Sequence, residues 1–170
     1  MNLSGPARRV LGRMALPLAL LAGMASAHAA DSCLVSATPV AFGVYDTVAS
    51  SPTPGTGQIT IECQGNKEVP VIVALSTGNG SYAARRMDSP LDALQYNLYL
   101  DPGYARIFGD GSAGSEVASC ITGITAGGCT GSNPTGAFKR AVLPFFGRIP
   151  ALQNVASGNY SDSIQVTISF

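Results

Sequence analysis

The chain has 170 residues, 12% of them charged and 46% hydrophobic, with four cysteines, one histidine and no tryptophan. That length suits a single domain. Ten basic side chains balance ten acidic ones, and setting aside Arg8, Arg9 and Arg13 near the N-terminus leaves −3, which argues against a nucleic-acid or anionic-membrane binder.

In chain order, a leader comes first. Arg8, Arg9 and Arg13 are followed by the uncharged apolar run Met14–Met24 and by a tail of small residues, Ala25–Ala30, around His28. Within that tail, Ala27-x-Ala29 fits a signal-peptidase site. This predicts a signal peptide over residues 1–29 and an exported domain over 30–170. The apolar run is shorter than the roughly 18–20 residues that span a bilayer, so no membrane span is expected after cleavage. Cleavage removes three arginines and leaves a net charge of −3. It also removes the one histidine, and with it any Ser-His-Asp or Cys-His site, any His-ligated zinc and any histidine base.

Cys33, Cys63, Cys120 and Cys129 all follow the expected cleavage point, and an even number in an exported chain reads as two disulfides. Three connectivities are open. The short separation of Cys120 and Cys129 favours their pairing, with Cys33–Cys63 then joining the first two strands. Chain entropy values these closures at about 2.7 and about 3.7 kcal/mol respectively. The spacings match no paired Cys-x-x-Cys zinc site, so neither a metal nor another cofactor is expected.

Alternation dominates the exported part. It predicts strands over Gly57–Cys63 (Ile59, Ile61 and Cys63 on one face), Val69–Leu75, Leu94–Leu100 and Ile164–Phe170. Weaker candidates are Cys33–Phe42, Tyr104–Phe108 and Phe138–Phe146, the last interrupted by Pro144. Pro70 marks an edge or a strand start. Turns are expected at Pro52–Gly55, Gly78–Ser81, Asp101–Gly103 and Gly158–Asn159, and Ser89–Leu94 is at most a turn. Short alternating strands with such connections read as an all-β, antiparallel β-sandwich. Gly111–Gly136, with seven glycines in 26 residues, reads as a long loop.

Few groups suggest chemistry. Gly109–Gly114 spells G-x-G-x-x-G, but a Gly-rich loop follows it where a dinucleotide site needs a helix. The carboxylates Glu62, Glu68, Asp88, Asp92, Asp101, Asp110, Glu116 and Asp162 include no pair set at a working distance, as a glycosidase requires. No catalytic residue is assigned, and the chain is not expected to be an enzyme. Arg85-Arg86 reads as a solvated strand edge or a surface ion pair with Asp88. Between Cys120 and Cys129, Ile121 and Ile124 could form a stapled adhesive finger; the plainer reading is a structural crossover whose isoleucines fold back on the core.

A set of motifs runs through the exported part: Phe42-Gly43-Val44-Tyr45, Gly57–Cys63, Leu94–Asp101 and Phe108–Gly111. Phe146-Gly147-Arg148-Ile149-Pro150-Ala151-Leu152-Gln153 and Gly158–Phe170 follow. In this order and spacing, over about 135 residues, the chain resembles the spore coat protein U domain, the family that includes subunits of Csu-type (archaic chaperone–usher) pili. The resemblance implies an immunoglobulin-like sandwich lacking its last strand and completed by a donor strand. A periplasmic chaperone supplies that strand first and another pilus subunit later, with assembly at an outer-membrane usher. On this reading Ile164, Val166, Ile168 and Phe170 line the acceptor groove. The chain is then a fibre subunit that passes through the periplasm to the cell surface and serves adhesion or biofilm formation. The alternatives are a self-contained surface- or carbohydrate-binding module and a spore-coat or envelope protein.

The family pattern is broken at one place. Cleavage after Ala29 leaves only Ala30, Asp31 and Ser32 before Cys33, a reach of roughly 10 Å, too short to donate a strand. The chain is therefore expected to accept a strand without giving one, either capping a fibre at its tip or acting as a secreted domain held by a partner.

Overall fold

A computed structural model describes residues 32–170; the expected signal peptide and its cleavage site lie outside the described residues. All the regular structure there is strand. The larger sheet contains β1 (Cys33–Thr38), β2 (Thr53–Gln64), β4 (Asn79–Gly80), β5 (Arg85–Asp88), β6 (Ala93–Tyr99), β8 (Thr130–Ser132) and β9 (Phe138–Ile149). Its order is β1-β2-β9-β6-β5-β4, with β8 also on β9. The smaller sheet has the order β10-β3-β7, from β3 (Pro70–Leu75), β7 (Ala118–Ile121) and β10 (Val166–Ser169). Every pair of neighbouring strands is antiparallel.

The period of two that predicts these strands also builds the interior. Ile59 and Ile61 of β2, Leu94 and Leu98 of β6, and Leu143, Phe145 and Ile149 of β9 form the inner face of the larger sheet. They pack against Val71, Val73 and Leu75 of β3 and Ala118 and Cys120 of β7. This is an immunoglobulin-like sandwich, as expected. Both expected disulfides are present. Cys33–Cys63 links directly opposed residues of β1 and β2, and Cys120–Cys129 ties β7 to the turn before β8.

Several expectations need correction. Thr53-Pro54-Gly55 is not a turn; these residues open β2 and pair with Ile149, Arg148 and Gly147. Pro70 does start a strand, but β3 is the central strand of its sheet. Tyr104–Phe108 forms only single bridges, at Ile107 and Phe108. The Asp101 carboxylate accepts the N–H groups of Ala105 and Arg106, which curls this segment into a turn. Gly111–Gly136 is no open loop, since it contains β7 and β8. Pro144 does not interrupt β9: β8 pairs with residues 140–142 and β6 with 146–148, so the proline falls between two partners where no donor is required.

Arg85 overturns the surface reading of the arginine doublet. Only Arg86 pairs with Asp88 at the surface, whereas Arg85 is 0% exposed. Its Nη1 donates to Asn97 Oδ1 (2.8 Å) and its Nη2 to the carbonyls of Ser76 (2.9 Å) and Phe108 (2.8 Å), while the guanidinium lies 5.1 Å from the Tyr82 ring centre. Burial holds its pKa below the ordinary arginine value. One cation thereby ties the end of β3 to β5, β6 and the Phe108 segment. Arg85→Met keeps the volume but strands these acceptors, and it is expected to lower the unfolding free energy by about 3 kcal/mol in urea titrations. A loss within about 0.5 kcal/mol, the range of ordinary surface changes, contradicts this role.

Candidate functional site

The site begins with two strand edges. On β1, Val35 and Ala37 oppose Ile61 and Ile59, so they share the inner face of the larger sheet. Yet Val35 is 39% exposed, because no described segment of the chain covers it. On β10, Val166 and Ile168 point inward and pack against the core, as does Ile164 just before the strand. The Gln165 carbonyl accepts the Ser76 N–H at 2.9 Å, and the Gln165 N–H reaches Ser76 Oγ at 2.9 Å, so Gln165 turns its backbone toward β3. Antiparallel alternation then turns the N–H and C=O groups of Val166 and Ile168 to the opposite edge, which has no partner among the described residues.

Between these edges lies a groove of about 370 Å³. Its floor is Ile59, Leu75, Tyr96, Leu98 and Phe145; one wall is formed by Ala37–Val40 and Phe42, the other by Tyr160–Asp162, Ile164 and Val166. The second wall is held at its upper end, where Asp88 and Ser161 exchange backbone hydrogen bonds of 2.9 and 3.2 Å. One polar pair sits in this apolar lining. Tyr96 donates its hydroxyl to Asp162 Oδ2 at 2.6 Å, while Asp162 Oδ1 accepts the Asn79 N–H at 3.0 Å. Burial, and then the bond to Asp162, push the Tyr96 pKa far above the ordinary phenol value.

One end of the groove is closed by a strap, residues 39–45, where the chain leaves β1 and crosses the inner face. Gly55 and Gly147, direct partners across β2 and β9, make room for it. A Cβ at Gly55 would lie 2.9 Å from the Phe42 ring, and one at Gly147 would lie 2.6 Å from it. The Phe42 ring meets Tyr96 edge-on at 5.9 Å between centres. Beyond it, Tyr45 donates its hydroxyl to the Pro150 carbonyl (2.9 Å) and accepts the Gln153 N–H (2.8 Å). The Gln153 side chain in turn brackets Gln95, accepting its N–H at 2.8 Å and donating to its carbonyl at 2.9 Å. Phe42–Tyr45 and Phe146–Gln153, far apart in sequence, are thus two halves of one latch.

Of the four groove residues expected from sequence, Ile164 and Val166 line the cavity and Ile168 continues the same inward face. Phe170 lies apart, 60% exposed at the far end of the smaller sheet beside Ile72 and Ile121. Sequence reasoning did not single out Val40, Phe42, Tyr96, Asp162 or the two glycines as site residues. The motif strings carried most of them without a stated role, and Gly55 was masked by its resemblance to a turn.

The other candidates occupy structural places. Ile121 and Ile124 are half-buried, and the turn between them is pinned where Thr122 exchanges bonds of 3.0 and 2.9 Å with the Val69 backbone. No helix follows Gly109–Gly114, which is a tight turn closed by Ser115 N–H to the Ser112 carbonyl. Glu62 pairs with Arg140, Glu116 with Arg106 and Asp88 with Arg86. Asp92, Asp101 and Asp110 bind backbone N–H groups, while Glu68 pairs with no side chain among the described residues. Among the described residues, no helix is long and apolar enough to cross a membrane.

The model of the Spore Coat Protein U domain family matches residues 20–167. The chain belongs to that family. No curated protein matches the sequence. Among solved structures, this chain is similar to one in the CsuC–CsuE chaperone–tip adhesion subunit pre-assembly complex from the archaic chaperone–usher Csu pili of Acinetobacter baumannii. The TM-score is 0.55 and the identity 23%, covering 83% of this chain. The match spans 40% of that chain's length, and the likeness is one of fold.

The pH dependence of the Tyr96–Asp162 pair follows from the raised phenol pKa. Between the unfolded value, about 10, and the higher folded one, the unfolded chain gives up a proton that the folded chain keeps. Stability is therefore complete below pH about 10 and falls as the pH rises beyond it. In thermal melts between roughly pH 8 and 11, Tyr96→Phe is expected to decline less steeply than the wild type above pH about 10. At neutral pH it costs about 1 kcal/mol for the lost hydrogen bond. Parallel melting curves for the two proteins contradict the coupling.

Proposed function

We propose that the chain is a structural, non-catalytic subunit of a chaperone–usher surface fibre, and that its groove accepts an extended strand from another molecule. The observation that carries this is the edge of β10. Val166 and Ile168 turn free backbone groups outward along a trough whose facing wall, β1, leaves the inward Val35 exposed. An extended segment with alternate apolar side chains satisfies both needs at once: ladder hydrogen bonds for the edge and cover for the core. The alternative of a self-contained binding module fits less well, because an uncovered edge beside an apolar trough is an aggregation hazard.

The occupants follow from this chemistry. A periplasmic chaperone fills the groove after export, and another subunit's strand replaces it at an outer-membrane usher, bringing the chain to the cell surface for adhesion. The likeness to a chain from a chaperone–tip adhesion subunit complex supports the chaperone as a partner. A tip position is supported by the expected cleavage after Ala29, which leaves three residues ahead of Cys33. Mass spectrometry of the exported protein is expected to give a mature start at Ala30. A start well upstream removes the argument for the tip.

The acceptor reading is tested with a synthetic peptide of alternating Val and Thr and the purified chain. The peptide is expected to raise the melting temperature of the wild type. Val166→Pro deletes an outward N–H and trims the side chain that lines the groove, and it should weaken peptide binding about tenfold or more while the β10–β3 ladder, made by Thr167 and its odd-numbered neighbours, is kept. Thr167→Pro, on the ladder side, should instead lower the melting temperature of the free chain. If no such peptide stabilises the wild type, the reading fails; full protection of the Val166 and Ile168 amides of the free chain from hydrogen exchange contradicts it as well.

A further inference from the structure

Four side chains, Val40, Phe42, Met87 and Tyr160, line two cavities at once. One is the groove of about 370 Å³; the other is a broader depression of about 950 Å³ on the far side of the strap. They form a partition across what would otherwise be one continuous trough. Its position is fixed from below by Gly55 and Gly147, where even a methyl group would collide with Val40 and Phe42. From beyond, it is fixed by the Tyr45 latch to Pro150 and Gln153. Neither support is required by the sheet itself, since β2 and β9 pair through Gly55 and Gly147 by their backbones.

We propose that this strap is the end-stop of the groove: Phe42 abuts the last inward side chain of the incoming strand and so fixes the register and the length that the groove admits. The inference rests on the acceptor reading above and specifies it. An extended strand places one side chain inward every second residue, about 6.6 Å apart. Without the Phe42 ring, the cavity beyond becomes continuous with the groove. It then admits one further inward side chain, a strand longer by about two residues.

The test uses the full chain and synthetic Val-Thr peptides that lengthen by steps of about two residues, the period of the inward face, with the rise in melting temperature as the readout. For the wild type, the rise is expected to grow with peptide length and then level off. Phe42→Ala should move the levelling length up by about two residues, the spacing of successive inward side chains. Phe42→Leu, which keeps apolar cover on the two glycines, should gain less and serves if the alanine variant does not fold. A merely structural role for Phe42 lowers the melting temperature of the free chain but leaves the levelling length unchanged, and that result overturns the end-stop. If no peptide stabilises the wild type, the acceptor reading fails and this inference falls with it. If peptides bind and every variant levels off at one length, the end-stop alone is wrong.

Discussion

A sandwich of two sheets is stable where its interior is covered at every edge, and among the described residues no strand covers the strip between β1 and β10. The physical conflict is local. Val35 faces inward yet meets solvent, while Val166 and Ile168 seat their side chains in the core and turn their backbone polar groups to an edge without a partner. Burying the side chains is worth on the order of 1.5–3 kcal/mol each when complete. The unpaired backbone groups keep their hydration only while the edge stays open. In the proposed acceptor role, an added strand meets both demands together, with backbone pairing first and side-chain cover second.

The remainder of the molecule holds this opening in shape. The Cys33–Cys63 bond anchors β1 at one end, and the strap over Gly55 and Gly147 holds the chain after it at the other, so the β1 wall cannot fold into the trough. The opposite wall is held where Asp162 gathers Tyr96 and the Asn79 N–H, and where Ser161 pairs with Asp88. Deeper in, Arg85 binds two carbonyls and an amide oxygen from three separate segments. Removing the cation would strand all three acceptors, so its fan of directed donors holds these segments together.

Much of the fold was legible in the sequence because alternation and burial share a period. Ile59-Thr60-Ile61 and Val71-Ile72-Val73 state which face is inside before any partner is known. Failures came where a local signal was overruled by pairing. Thr53-Pro54-Gly55 looks like a turn, yet the terminal part of β9 recruits it into β2. Arg85 looks like a surface charge, because the carbonyls that satisfy it come from residues 76 and 108. The alternation of Ile164, Val166 and Ile168 was read correctly, whereas Phe170 continues the pattern past the end of β10 and lies exposed beside Ile72 and Ile121, away from the groove.

Taken alone, the sequence determined the all-β class, the inward set of side chains and, through four cysteines in an export context, the use of disulfides, since these depend on neighbours within a few residues or on composition. The family motifs pointed to an acceptor groove. Only the tertiary structure decided where the groove opens, which cavity each residue lines, and that Val40 and Phe42 form a strap seated on two glycines. These depend on the pairing of segments about a hundred residues apart, and a glycine left bare for another segment's ring looks, in a sequence, like any other glycine.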